Sequence, residues 1–199
     1  MGMFDNLIKI DNKGNIFLNQ WYELVHPGIL NQPDWFREIL RALMQLLGHC
    51  SKCTALSGCY FFADKIPSQP QHDNCDCMKK VISINIVSNH IHAECDIRKF
   101  TEYIFKDDET SKGKKELFES LGFDKDDAAY LQLEFCRQAE EQYLHGNYIL
   151  KSLDECGQRI AIPITIKGIT FYSGWMIYPE GKLQNTTPFG GWVKWKNTI

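Results

Sequence analysis

The sequence predicts an α+β protein, with a zinc-knuckle N-terminal region followed by helices packed on a four-stranded antiparallel sheet. Three observations carry that reading. Cys50, Cys53, Cys59, Cys75 and Cys77 crowd into one short segment. From Asp96 the apolar residues recur at helical spacing through three successive stretches, and from Tyr148 the period falls to two. Helices followed by strands with short turns between them make an α+β unit with an antiparallel meander.

The elements follow in chain order. Ile8, Ile10, Ile16 and Leu18 flank an Asp11-Asn12-Lys13-Gly14-Asn15 turn, which predicts a hairpin. Pro33-Asp34 opens a helix in which Trp35, Phe36, Ile39, Leu40, Leu43, Met44 and Leu47 share one side, and Gly48 stops it. The cysteine segment comes next and contains Pro67 and Pro70. The apolar, β-branched run from Val81 to Val87 reads as a strand. Ser88 to His92 marks the boundary between an N-terminal region, 1–88, and an α+β domain, 89–199. Asp96 caps a helix reaching Phe105, and Ser111 caps a second that ends at Gly122. Asp124 and Asp127 start a third, whose stripe is Ala128, Leu131, Phe135, Ala139 and Tyr143, with Gly146 beyond it. The strands are Tyr148 to Lys151, the run with Ile160, Ile162, Ile164 and Ile166 on one face, Ile169 to Tyr178, and Leu183 to Thr187. Their turns fall at Asp154 to Gln158, Lys167-Gly168 and Pro179 to Lys182. Pro163 has no N–H to donate, so it belongs at an edge or a bulge.

The cysteine spacing is that of a tetrahedral zinc site. Cys50 and Cys53 form a CxxC, Cys75 and Cys77 a CxC, and His72 stands three positions before Cys75. The simplest closed set is Cys50, Cys53, Cys75 and Cys77; His72 can replace Cys77, because ligands two residues apart are geometrically tight. Four protein ligands leave no position for water, so the zinc is structural rather than catalytic. Buried or disulfide-bonded cysteines are the competing explanation. Cys59, Cys95, Cys136 and Cys156 are expected to be buried thiols.

A chain of 199 residues, 44% hydrophobic and 24% charged, has the composition of an ordinary globular protein. Its net charge of −3 gives no global attraction to nucleic acid or to an anionic membrane. The charge is uneven, however. Residues 96–146 carry eight Lys/Arg against thirteen Asp/Glu, whereas residues 147–199 carry six against three, so the strand-rich part can present a positive face. Met1 to Asp5 lacks the basic and apolar regions of a signal peptide, and Asn6 stands where a myristoylation signal needs Ser or Thr. The longest apolar stretch, Ile39 to Leu47, is interrupted by Arg41 and Gln45 and is too short to span a bilayer. A reducing compartment and no membrane partner are expected. GxGxxG, P-loop, GxSxG and HExxH patterns are all absent, which removes support for nucleotide-cofactor and serine-hydrolase chemistry.

Two segments carry resemblances. Cys50-Ser51-Lys52-Cys53, Leu56-Ser57-Gly58, Tyr60-Phe61, Pro67, Pro70 and His72-Asp73-Asn74-Cys75-Asp76-Cys77 resemble the cysteine-rich C-terminal part of MuF-type phage minor head (head-morphogenesis) proteins, over residues 45–80. Asp73 replaces that family's usual Pro, and Asp76 its usual Arg. Arg98 to Ile104, Gly113-Lys114, Leu117 to Phe123, Gly157-Gln158-Arg159 and Ser173-Gly174-Trp175 resemble a bacterial domain of unknown function. That domain occurs alone and at the C-termini of phage-head-like and polymorphic-toxin proteins, and the resemblance covers residues 96–192. Helices followed by a four-stranded sheet also suit the barnase–EndoU–colicin–RelE-like nucleases, as an analogy of fold. The resemblances imply a toxin-type effector, a candidate metal-independent ribonuclease with a structural zinc knuckle. Its expected partners are an RNA substrate and an immunity protein or a phage-derived protein partner, in the bacterial cytoplasm or after delivery by a specialised secretion system. The alternative is a non-enzymatic, phage-derived head-morphogenesis or protein-interaction module.

Metal-free RNA cleavage needs a base for the 2′-hydroxyl, an acid for the leaving 5′-oxygen and a cation at the phosphate. Lys99 and Lys114, at matching positions of the second resemblance, are the candidate cations. Arg159, beside a turn, can grip phosphate with two nitrogens. His145, at the end of the third helix, is the candidate acid or base, with interaction at the helix C-terminus as its structural alternative. Thr186 or Thr187 can orient the phosphate. His90 and His92 lie on one face if their segment is extended. Tyr172, Trp175 and Tyr178 can stack on bases, although alternation puts Trp175 in the core. Asp107, Asp108 and Glu109 read as a solvated loop.

Overall fold

The structure is a computed structural model that describes residues 8–10, 16–18, 21–25, 36, 39, 50–68, 77–107 and 112–192. Strands β1 (Ile8–Ile10) and β2 (Ile16–Leu18) pair antiparallel, as the hairpin pattern requires. Of the helix expected from Pro33 to Gly48, Phe36 and Ile39 are described and both are helical; the rest lies outside the described residues. Strand β3 (Trp21–Val25) is the centre of a three-stranded antiparallel sheet, between β4 (Cys59–Phe62) and β5 (Met78–Ile82). Helix α1 (Ser51–Leu56) leads into β4.

The strand expected from Val81 to Val87 ends at Ile82. Ser83 breaks it by taking the Ile86 N–H on its hydroxyl, which starts helix α2 (Ile84–His90). A three-residue strand, β6 (His92–Glu94), follows. It lies parallel to the last strand of the chain, so the predicted four-stranded antiparallel sheet is a five-stranded mixed one. Its order is β6-β10-β9-β8-β7, with β7 at Ile149–Asp154, β8 at Gly157–Ile166, β9 at Ile169–Tyr178 and β10 at Lys182–Trp192. β7 to β10 form the antiparallel meander. Lys167 (φ 46°) and Gly168 (φ 81°) give the β8–β9 turn two left-handed residues, the twist a two-residue hairpin prefers. Pro163 lies past the last β7–β8 rung, where its missing N–H interrupts no pairing on that side.

The helix expected from Asp96 to Phe105 is instead a π-helical turn, Lys99–Ile104, and Asp96 accepts the Arg98 N–H at 2.9 Å. Helix α3 (Lys112–Ser120) ends before Gly122, whose φ of +73° makes the stop; Ser111 lies outside the described residues. Asp124 and Asp127 form a reciprocal capping box. Helix α4 (Ala128–Leu144) then buries the five positions of its predicted stripe.

That stripe faces the inner side of the sheet. Phe135 packs on Phe100 at 5.1 Å and on Phe171 at 6.0 Å between ring centroids, and Phe118 meets Phe171 at 5.8 Å. Each such aromatic side chain contributes roughly 1.5–3 kcal/mol through burial. Gln138 ties helix to sheet: its amide gives and takes a 2.8 Å hydrogen bond with the Thr165 backbone, beyond the reach of β7.

The N-terminal sheet joins the same core. Trp21 packs against Phe62 at 4.8 Å and Tyr143 at 5.3 Å. The Phe62 N–H donates to the Tyr148 hydroxyl at 3.3 Å, and the Tyr143 hydroxyl donates to the Tyr60 carbonyl. α4 ends in a Schellman motif, in which Gly146 N–H reaches the Tyr143 carbonyl and Asn147 N–H the Gln142 carbonyl. Gly146 is required twice: its φ is +69°, and a Cβ there would lie 2.9 Å from the Phe62 ring. Among the described residues no helix is long and apolar enough to cross a membrane.

Candidate functional site

The two faces of the sheet differ in kind. Ile160, Ile162, Ile164, Phe171, Trp175 and Ile177 point into the core and are buried. Arg159, Ala161, Pro163, Tyr172 and Gly174 alternate with them and face outward. A cleft of about 230 Å³ lies on this outer side, lined among others by Lys151, Arg159, Tyr172, Gly174, Thr186 and Thr187. Trp175 is in the core, as alternation predicts, while Tyr172 and Tyr178 are half-buried.

A β-bulge shapes one end of the cleft. Asn185 pairs with Trp175 and Thr187 with Gly174, so Thr186 is an extra residue without a partner across the ladder. Its carbonyl accepts the Lys99 ammonium at 2.9 Å. Gly174 makes room for the bulge; a Cβ there would sit 2.8 Å from Thr187 Cγ2 and 2.9 Å from Thr186 Oγ1. Beneath it, Asn185 Nδ2 donates to Ser173 Oγ at 3.0 Å, and Ser173 Oγ donates to the Thr187 carbonyl at 3.0 Å. Both side chains are buried. Buried polar groups linked in this way fix the backbone of the bulge in place.

The π-helical turn brings a second group to the same corner. π-Turns are rare and occur disproportionately at functional sites. Tyr103, four residues after Lys99, hydrogen-bonds the Lys114 ammonium, which lies 4.0 Å from the ring centroid. The Lys114 hydrogen bond holds the Tyr103 phenol below its ordinary pKa. Partial burial opposes the shift, while the Thr187 hydroxyl and the Lys114 and Lys99 charges add to it. Arg159, on the other side of the cleft, is exposed and gives its Nε–H to Asp154 at 2.8 Å.

Lys99 and Thr186, chosen from the sequence, therefore meet at one corner, to which Tyr103 links Lys114; Thr186 and Arg159 line the cleft, whereas Lys99, Tyr103 and Lys114 stand beside it without lining it. His145 is not among the cleft residues. It terminates α4, where its Nδ1 lies 2.7 Å from the Glu141 carbonyl, the helix-end role that was its structural alternative. His90 and His92 do not form an extended pair: His90 ends α2, and His92 stands 3.8 Å from both Glu94 and Glu140. Asp107 is exposed and pairs with Lys115; Asp108 and Glu109 lie outside the described residues. Sequence reasoning missed Tyr103 and Lys151. Neither gave a sign in the sequence, because what marks Tyr103 is its contact with Lys114 and Thr187, and Lys151 is placed by the sheet.

Of the proposed zinc ligands, His72 and Cys75 lie outside the described residues. Cys50 precedes α1 and Cys53 is buried in it. Leu24 pairs with both Cys59 and Lys79, so the α1–β4 junction and the start of β5 after Cys77 lie at the same end of the sheet. Among the described residues, no group of three or more His, Cys, Asp or Glu is arranged to hold a metal. Cys59 is a buried thiol that donates to the Ala55 carbonyl at 3.3 Å. Burial pushes Cys95 up to about 12 and half-buried Cys136 up to about 11. Cys156 departs from expectation: it is exposed, because the β7–β8 turn carries it away from the core.

No protein-family model matches the chain, and no curated protein or solved structure does either.

If Lys114 depresses Tyr103, Lys114→Ala will move the Tyr103 titration up toward about 10, the ordinary tyrosine value. The 13Cζ chemical shift of Tyr103 followed against pH measures this directly. An unchanged midpoint in the variant would contradict the coupling.

Proposed function

We propose that this protein is a toxin-type effector that cleaves RNA without a catalytic metal. The observation that supports it best is the corner where Lys99, Tyr103 and Lys114 gather at the Thr186 bulge, beside a cleft lined by Thr186, Thr187, Lys151 and Arg159. A dense set of fixed cations beside hydroxyl groups suits a phosphodiester, whose negative charge grows in the transition state. In this reading the Tyr103 phenolate removes the 2′-hydroxyl proton and the 2′-oxygen attacks phosphorus. The bond to the 5′-oxygen breaks as Lys99 supplies it with a proton, leaving a 2′,3′-cyclic phosphate and a 5′-hydroxyl. Lys114 keeps the phenol acidic. Arg159 directs its guanidinium at the non-bridging oxygens, and Thr187 orients them. An immunity protein that covers this face, acidic enough to match it, completes the proposal, and the bacterial cytoplasm is the place of action.

We further infer that Cys50, Cys53, Cys75 and Cys77 hold one structural zinc, with His72 as the alternative to Cys77. Zinc–thiolate bonds would lock the end of the small sheet to α1 and add folding free energy rather than chemistry.

Purified protein incubated with RNA, with no metal added, is expected to yield 2′,3′-cyclic phosphate ends. Lys99→Ala and Lys114→Ala should each slow cleavage by roughly a hundredfold, the effect of losing one preorganised transition-state contact. Induced expression should arrest bacterial growth, and both variants should relieve the arrest. Intact RNA and well-tolerated expression would overturn the reading in favour of the phage-derived interaction module. For the knuckle, elemental analysis should find one zinc per chain and none in Cys50→Ser/Cys53→Ser. Metal-free wild-type protein with an unchanged melting temperature would refute it.

A further inference from the structure

A second cavity, of about 290 Å³, opens beside the first and is lined by Lys65, Gln142, Gly146, Asn147, Tyr148, Ile149, Pro163 and Tyr172. Tyr172 lines both cavities. It precedes Gly174 by two residues on the outer face, about 6.6 Å along the strand. That is close to the distance between a phosphate and a neighbouring base in a single nucleic-acid strand.

Part of the lining of this cavity is preorganised. The Schellman turn around Gly146 sets Gln142 and Asn147 side by side, with the Asn147 N–H on the Gln142 carbonyl at 2.8 Å. Their side chains are also joined, Asn147 Nδ2 to Gln142 Oε1 at 3.0 Å. One amide–amide hydrogen bond leaves one oxygen and one nitrogen of this solvent-accessible pair outside that bond and open to a ligand in place of water, whichever way round the two amides stand. A donor and an acceptor side by side match the hydrogen-bonding edge of a nucleobase. The Tyr172 ring supplies a surface on which a base can stack, and Lys65, 3.9 Å from Asp64, adds a cation to the lining.

We propose that this cavity is a nucleobase subsite. It holds one base of the RNA strand between the Tyr172 ring and the Gln142–Asn147 amide pair, while the adjoining phosphate lies at the Thr186 corner. This inference rests on the RNA reading given above and adds to it how the strand is gripped and placed. It also gives the Gly146–Phe62 contact a consequence beyond stability. The N-terminal sheet holds the turn from which the amide pair projects, so that sheet takes part in shaping the subsite.

The test uses the full chain and a fluorescein-labelled, twelve-nucleotide 2′-O-methyl RNA, which lacks the hydroxyl needed for cleavage. Fluorescence anisotropy gives the affinity. Tyr172→Ala and Gln142→Ala/Asn147→Ala should each weaken binding about tenfold or more, whereas Tyr172→Phe, which keeps the ring, should bind like the wild type. On the same backbone made with abasic residues, the wild type and Tyr172→Ala should bind equally. Wild-type binding that neither alteration weakens would overturn the subsite and leave the RNA reading standing. A wild type that binds neither strand would overturn both. Should Tyr172→Phe lose affinity as Tyr172→Ala does, stacking is not the source and the subsite is refuted.

Discussion

Thr186 is the first surplus residue of the β9–β10 ladder, which shifts register again between Thr187 and Gly191, and the corner beside the cleft follows from how Thr186 is held. An unpaired carbonyl at a sheet edge is costly unless something donates to it. Here the donor is the Lys99 ammonium, reaching the bulge from 87 positions earlier in the chain. The contact fixes the π-helical turn against β10, which places Tyr103 beside Thr187 and Lys114. It also explains Gly174, the residue whose missing side chain lets the bulge lie against β9. The chemistry proposed for the corner therefore depends on a backbone irregularity in one strand and a single long-range ion–dipole contact.

The other end of the face is governed by packing. Phe62 fills the space over Gly146 and so fixes the turn after α4, and its N–H is held by Tyr148. A turn trapped between a helix end and a neighbouring sheet has little freedom to rearrange, so its side chains present a constant pattern. Residues contributed by the turn after β4 (Lys65), by α4 (Gln142) and by β9 (Tyr172) thus line adjoining cavities although they are far apart in sequence.

The sequence announced what local chemistry determines. The α4 stripe, the Asp124–Asp127 cap, the Lys167-Gly168 turn and the inward Ile160 to Ile166 face all follow from periodicity or capping. What it concealed depends on partners distant in the chain. β6 is three residues long, too short for an alternation pattern, and exists because β10 offers an edge to it. The Val81–Val87 run looked like one strand because its apolar, β-branched side chains outweighed one serine, yet Ser83 divides it. At the candidate site, Lys99, Lys114, Arg159 and Thr186 were legible as residue types suited to phosphate. Tyr103 was not, since its acidity comes from Lys114 and Thr187. His145 was misleading: a histidine before a helix-ending glycine suits a general base and a helix-end partner equally well, and only three-dimensional placement separates them.

Lys151 and Arg159 line the outer cleft, Arg159 in an ion pair with Asp154, and Lys99 and Lys114 stand at the bulge beside it, in a protein whose net charge is −3. In the proposed function, Lys99, Lys114, Lys151 and Arg159 act together on one phosphate backbone. The most direct test is the dependence of single-stranded 2′-O-methyl RNA affinity on salt concentration. Four engaged cations should give a slope of log affinity against log salt between about −2 and −3. A slope near zero would contradict the account, because it would mean that no phosphate is neutralised there.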